Sequence, residues 1–196
     1  MNEEENIQNN IEIKSKQKKK NKTDRGIETL FRITSRNPLN LSAIADRKAN
    51  ILISINAVII SIILSVVIRR IGGEQEIIIP SIILLIVCVV TIVFATIATR
   101  PKVTSGNITQ EDIKQKKGNL LFFGNFYKMS LEEYEKAMTV VMNDREYLYL
   151  SMIRDIYAVG AVLIRKYKYL KIAYNIFMYG LIIAVISFLL EMVHFI

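Results

Sequence analysis

Three blocks of the chain are apolar almost without interruption: residues 49–68, 77–99 and 172–196. The first supplies about 20 residues, hence about 30 Å of helix, the hydrocarbon thickness of a bilayer. The second carries Pro80 in its opening turn, where a missing N–H does least harm. The joint between them, "RRIGGEQE", contains Gly72-Gly73, which favours a tight turn. The pattern predicts an all-α membrane protein with three transmembrane helices.

The rest of the chain is polar or amphipathic. Residues 1–25, with "KSKQKKKNK", cannot bury enough apolar area to offset chain entropy and read as a disordered basic tail. They hold no apolar core of the kind a cleavable signal peptide needs. Residues 26–48 predict a juxtamembrane helix, with Asn37-Pro38 as an N-cap followed by proline at the first helical position. Between the second and third spans, residues 100–171 predict a small helical sensor region. Ser130-Leu131-Glu132-Glu133 is a capping box, so a helix should begin at Leu131. Asn143-Asp144 is placed to end it and cap the next. From Arg145 onward there is no proline, and Leu150, Ile153, Tyr157, Gly160, Ile164, Tyr167, Leu170 and Tyr174 recur at three- and four-residue steps. One long helix is therefore expected to start in the sensor region and continue into the third span, 172–196.

Charge then sets orientation. The chain is 52% hydrophobic yet carries a net charge of +8, so its apolar and basic residues must be segregated. Of its 26 Lys and Arg, all but Arg69 and Arg70 lie before residue 49 or within 100–171. By the positive-inside bias, the N-terminus and the 100–171 segment should face the cytoplasm, and the C-terminus should face outward.

Polar residues inside the spans form stripes. Ser42, Asp46, Asn50, Ser54, Ala57, Ser61 and Ser65 share one helical face, with Asn56 off it. Ser81, Cys88, Thr91, Ala95 and Thr99 mark a face of the second span, and Ala173, Gly180, Ala184, Ser187 and Glu191 a face of the third. Small residues let membrane helices approach closely, and hydroxyls and amides bond across the contact. Asn50, Ser54, Ser61, Ser65, Thr91, Gly180, Ser187 and Glu191 are accordingly expected to form a packing seam, between spans or between subunits of a homo-oligomer, or to line a path once the bundle opens.

Little in the chain points to catalysis. There is no Gly-rich phosphate loop, no nucleophile elbow and no Cys/His pair, since Cys88 and His194 are single. No metal site or resident cofactor is expected. The sensor region instead offers groups suited to a small anionic nucleotide. "NLLFFGNFYKM" clusters aromatic rings, and "LIRKYKYLK" interleaves cations with tyrosines. Rings stack bases, and guanidinium forks take phosphate. The nucleotide-binding candidates are Arg36, Asp46, Lys48, Asn119, Phe123, Tyr127, Arg154, Arg165 and Lys166. Aromatic clusters also serve as cores, and Lys, Arg and Tyr beside a span also anchor it at the interface.

Four blocks carry a resemblance: "RNPLNLSAIADRKANILISINAVIIS", "ATRPKV", "NLLFFGNF" and "IRDIYAVGAVLIRKYKYLKIAYNIF". Together, in this order, they resemble the membrane effector family of Pycsar, a bacterial antiphage system. The resemblance implies several transmembrane helices with a small cytoplasmic portion. It further implies an effector in the bacterial inner membrane that responds to cyclic CMP or cyclic UMP made by a partner cyclase, and that impairs the membrane of the infected cell. The lipid bilayer is then a partner and nucleic acid is not. Two rival readings are a ligand-independent structural or adaptor membrane protein and a membrane-bound nucleotide hydrolase. The hydrolase would need His–Asp metal ligands, and the only histidine lies near the outer end of the last span.

Overall fold

The computed structural model describes residues 2–69, 78–101, 106 and 108–194, with side chains from Lys22 through Val193 among them. The Gly72-Gly73 turn and the side chains of most of the basic run before Lys22 lie outside the described residues. The fold is 89% helical, with no strand among the described residues. Among the described residues, three helices are long and apolar enough to cross a membrane.

Helix α1 (Asn2–Arg69) continues through the segment expected to be a disordered tail. Glu, Gln and Lys, which dominate that segment, are good helix formers. It also runs through Pro38, where a helix start was expected. Proline removes one backbone donor but keeps a helical φ, so a long helix survives one such site at a cost. Helix α2 (Ile78–Thr99) follows, with Pro80 in its first turn as expected. Two short helices, α3 (Gln110–Lys114) and α4 (Phe123–Phe126), lead to α5 (Leu131–Asn143). The capping box at Ser130 and Glu133 is formed and starts α5 at Leu131. Asp144 ends α5 and caps α6 (Arg145–His194) by accepting the Tyr147 N–H at 3.0 Å. Helix α6 is a single element of 50 residues from the sensor region into the third span, as the periodicity predicts.

Contacts fix how the long helices run. Arg145 meets Asp24, Tyr149 stacks on Phe31, Lys166 meets Asp46, and the Tyr174 hydroxyl donates to the Lys48 carbonyl. Residue numbers rise together on both helices, so α1 and α6 are parallel. Val87 of α2 faces Gly180, while Ala95 and Ala98 cluster with Leu170 and Ala173, so α2 runs the opposite way. Ala45, Ala49, Leu52, Ala95, Ala98, Leu170 and Ala173 form the membrane-proximal core, where small side chains permit close helix approach. Isoleucines, leucines and valines cover the outer faces of the spans, as lipid contact requires.

Two of the three stripes turn inward. Ser81, Cys88, Thr91 and Ala95 are buried on α2, and Ala173, Gly180 and Ala184 on α6. On α1 the polar stripe is not the face packed against α2 and α6. From residue 45 onward its buried residues are Ala45, Ala49, Leu52, Asn56 and Ile63, whereas Asn50, Ser54, Ser61 and Ser65 are exposed on this chain. Two residues correspond to about 200° of helical rotation, so the inward face lies opposite the polar stripe. The Ser61 and Ser65 hydroxyls donate to the Ala57 and Ser61 carbonyls of their own helix, which frees them from needing a partner across a contact.

Candidate functional site

A second, smaller core sits at the far end of α6. Ile113, Leu120, Ala137, Val141 and Tyr147 are buried together, with Ile108, Phe126, Met129 and Tyr134 packed against them. The core assembles because α5 presents Ala137 and Val141 one turn apart, and Tyr147 enters from the first turn of α6.

The loop between α3 and α4 is clasped onto α6 by its backbone. The Tyr147 hydroxyl donates to the Gly118 carbonyl at 2.8 Å, and Arg154 Nη1 donates to the Lys116 carbonyl at 2.6 Å. Lys116 has φ 56°, a left-handed conformation that costs a non-glycine residue about 1–2 kcal/mol. Its ammonium pairs with Asp144 at 2.7 Å and lies 3.9 Å from Glu146. The hydrogen bond to Asp144 raises the Lys116 pKa and lowers that of Asp144. Burial raises the Tyr147 pKa, which keeps its hydroxyl a donor.

Beyond the clasp the loop turns back on itself. Asn119 Oδ1 accepts the Leu121 N–H at 3.1 Å, and the Asn119 carbonyl accepts Asn125 Nδ2 at 2.9 Å. This holds α4 against the loop and presents a ring cluster. Phe123 lies 5.7 Å from both Phe126 and Tyr127, with Phe126 4.8 Å from Tyr134. Phe126 and Tyr134 belong to the core, whereas Phe123 and Tyr127 are exposed and leave ring surface free for stacking. Among the described residues, Arg154 makes a single side-chain hydrogen bond, to a neutral carbonyl, and no ion pair. Most of its five donors therefore remain for an anion. Gly106 is held against this loop, its N–H donating to the Gly124 carbonyl, and a Cβ there would collide with Asn125 Oδ1.

The structure thus gathers Asn119, Phe123, Tyr127 and Arg154 around one loop and separates them from the other candidates. Arg154 and Lys166 are twelve residues apart on one helix, about 18 Å along its axis. Lys166 Nζ contacts both carboxylate oxygens of Asp46 at 2.8 Å and the Ser42 hydroxyl at 3.0 Å. Asp46 and Lys166 pair with each other and form a cross-helix latch. Arg36, Lys48 and Arg165 are exposed, with Arg165 over the Tyr169 ring at 5.7 Å. Sequence reasoning missed Lys116, Gly118 and Tyr147. Their roles depend on a carbonyl reaching across from a distant loop, which leaves no local spacing signal.

Helical spans around a small-residue core, with a small subdomain clasped to the last span, define the class as a helical membrane protein. The chain belongs to the PycTM family: residues 29–191 match the Pycsar effector protein domain. This membership makes it a Pycsar antiphage effector of the transmembrane class, which works within a system that includes a cyclase. No curated protein and no solved structure matches the chain.

Proposed function

We propose that this protein senses a cyclic pyrimidine nucleotide, cyclic CMP or cyclic UMP, and impairs the bacterial inner membrane in response. The supporting observation is continuity. Helix α6 carries Arg154 beside the Lys116–Asn119 loop and, without a break, becomes the third span. The exposed rings of Phe123 and Tyr127 stack the base, and Arg154 takes the phosphate. Ordering the loop around the ligand shifts the tip of α6. A rigid helix passes that shift to the neck, where the Asp46–Lys166 latch ties α6 to α1.

In this account the sensor region faces the cytoplasm, and several copies act together. Asn50, Ser54, Ser61 and Ser65, exposed on one chain, meet neighbouring copies or line the opened path. Cell growth stops because the membrane fails, and no catalytic turnover is involved.

Calorimetry with the purified full chain tests the ligand half. Wild type should bind cyclic CMP or cyclic UMP, and Arg154→Ala should weaken binding by at least tenfold, as loss of a charge-assisted bond to phosphate would. Absence of binding by wild type to either nucleotide would overturn the ligand half of the reading.

A further inference from the structure

The neck of the bundle carries a collar of cations with no acidic counterpart. Arg47 and Lys48 on α1, Arg100 after α2, and Arg165, Lys168 and Lys171 on α6 are all exposed. They share one level, because they flank Ala45, Ala49, Ala98 and Leu170 of a single core cluster. Asp46, the carboxylate at that level, is taken by Lys166. None of the six is in an ion pair among the described residues.

The residues beyond each cation toward the span repeat a pattern. On α1, Lys48 is followed at three and seven residues by Ile51 and Ile55, 58% and 46% exposed. On α2, read from Arg100 back into the span, the same steps reach Ile97 and Val93, 37% and 49% exposed. On α6, Lys171 is followed by Tyr174 and Met178, 40% and 47% exposed. Steps of three and four keep each set on one helical face. Every helix thus offers a cation with an apolar strip directly above it. A phospholipid has the matching shape, an anionic phosphate with an acyl chain beneath it. A free nucleotide or a nucleic acid has no use for the strip.

We propose that these three strips are binding sites for anionic phospholipids, each phosphate held by the collar and each acyl chain lying along the apolar face. The inference rests on reading the three helices as crossing a bilayer. It makes the protein's seating depend on lipid charge as well as on thickness, since each juxtamembrane cation adds roughly fivefold to affinity for an anionic surface.

Spin-labelled phosphatidylglycerol and phosphatidylcholine, compared in vesicles holding the full-length protein, test it. The wild type should immobilise the phosphatidylglycerol label preferentially. Lys171→Gln should lower that preference, and the triple variant Lys48→Gln/Arg100→Gln/Lys171→Gln should lower it further, while Lys136→Gln on α5 should not. Because the triple variant is open to misinsertion, raised salt on the wild type supplies a second arm and should erode the preference in the same way. Equal immobilisation of both labels by the wild type would overturn the proposal. So would displacement of the phosphatidylglycerol label by inorganic phosphate beyond that caused by sodium chloride at the same ionic strength, which would make the collar a small-anion site. If neither label is immobilised, the membrane reading itself fails.

Discussion

Lys166 Nζ lies 2.8 Å from each carboxylate oxygen of Asp46 and joins two parallel helices where the bundle core ends. The side chains are 18% and 38% exposed, so the pair is partly wet. A double-mutant cycle on Asp46→Ala and Lys166→Met should give a coupling energy of about 1 kcal/mol, at the upper end for a solvent-touched pair. The functional effect should be larger. Asp46→Ala should abolish ligand-triggered toxicity while membrane insertion, read by fractionation, stays intact.

Asn56 is fully buried in the bundle; its amide nitrogen donates to the Leu52 carbonyl at 2.8 Å, and its Oδ1 has no partner among the described residues. An orphaned buried acceptor costs about 1–3 kcal/mol. Asn56→Leu removes that cost and keeps the number of side-chain heavy atoms. Its thermal unfolding midpoint in detergent should lie above that of wild type, and a lower midpoint would mean that the amide is satisfied.

Gly180 allows α6 to approach α2. A Cβ at this position would collide with the Val87 side chain, closer than real Cβ atoms tolerate. Gly180→Ala should destabilise the bundle by about 1–3 kcal/mol, as overpacking does, and Val87→Ala should rescue part of the loss. Thermal unfolding of the single and double variants reads both effects.

The sensor core should be acid-sensitive. Asp144 is held low by its bond to Lys116, and Asp112 and Glu133 by their capping bonds to Thr109 and Ser130. Their folded pKa values lie below the unfolded ones, so their contribution is full above about pH 5 and is lost as pH falls through about 4 and below. Asp155 works in the opposite direction. Burial raises its pKa, so it favours folding most below about pH 4 and loses that contribution as pH rises. Asp144→Asn should flatten the acid limb of the unfolding midpoint plotted against pH, and Asp155→Asn should raise the midpoint at neutral pH. Ser130→Ala should lower it at all pH values by about 1 kcal/mol in stability.

Elements with a local signature were legible in the sequence. Ser130 and Glu133 mark the start of α5, Asp144 the joint before α6, and the unbroken run after Arg145 the longest bridge between sensor and membrane. The inward faces of α2 and α6 were legible as well, because Cys88, Thr91, Ala173 and Gly180 are the small residues there. The face of α1 that packs against α2 and α6 was not legible, because both of its sides are small or polar. Alanines pack inward, while serines bond their own helix and point out. Which face turns inward is decided by Ala95 and Ala98 opposite, a long-range fact. The binding candidates fared likewise. Residue types suited to a nucleotide were visible, but not that Asp46 and Lys166 consume each other or that Arg154 reaches the carbonyl of Lys116.

Membrane potential in vesicles reconstituted with the pure full-length protein tests the central claim most directly. A potential-sensitive dye would follow the addition of cyclic CMP or cyclic UMP to the side bearing the sensor region. The account predicts rapid depolarisation with a cyclic pyrimidine nucleotide, none with buffer, and none with the Asp46→Ala protein. A potential that holds under both nucleotides, or that collapses equally before any nucleotide is added, would contradict it.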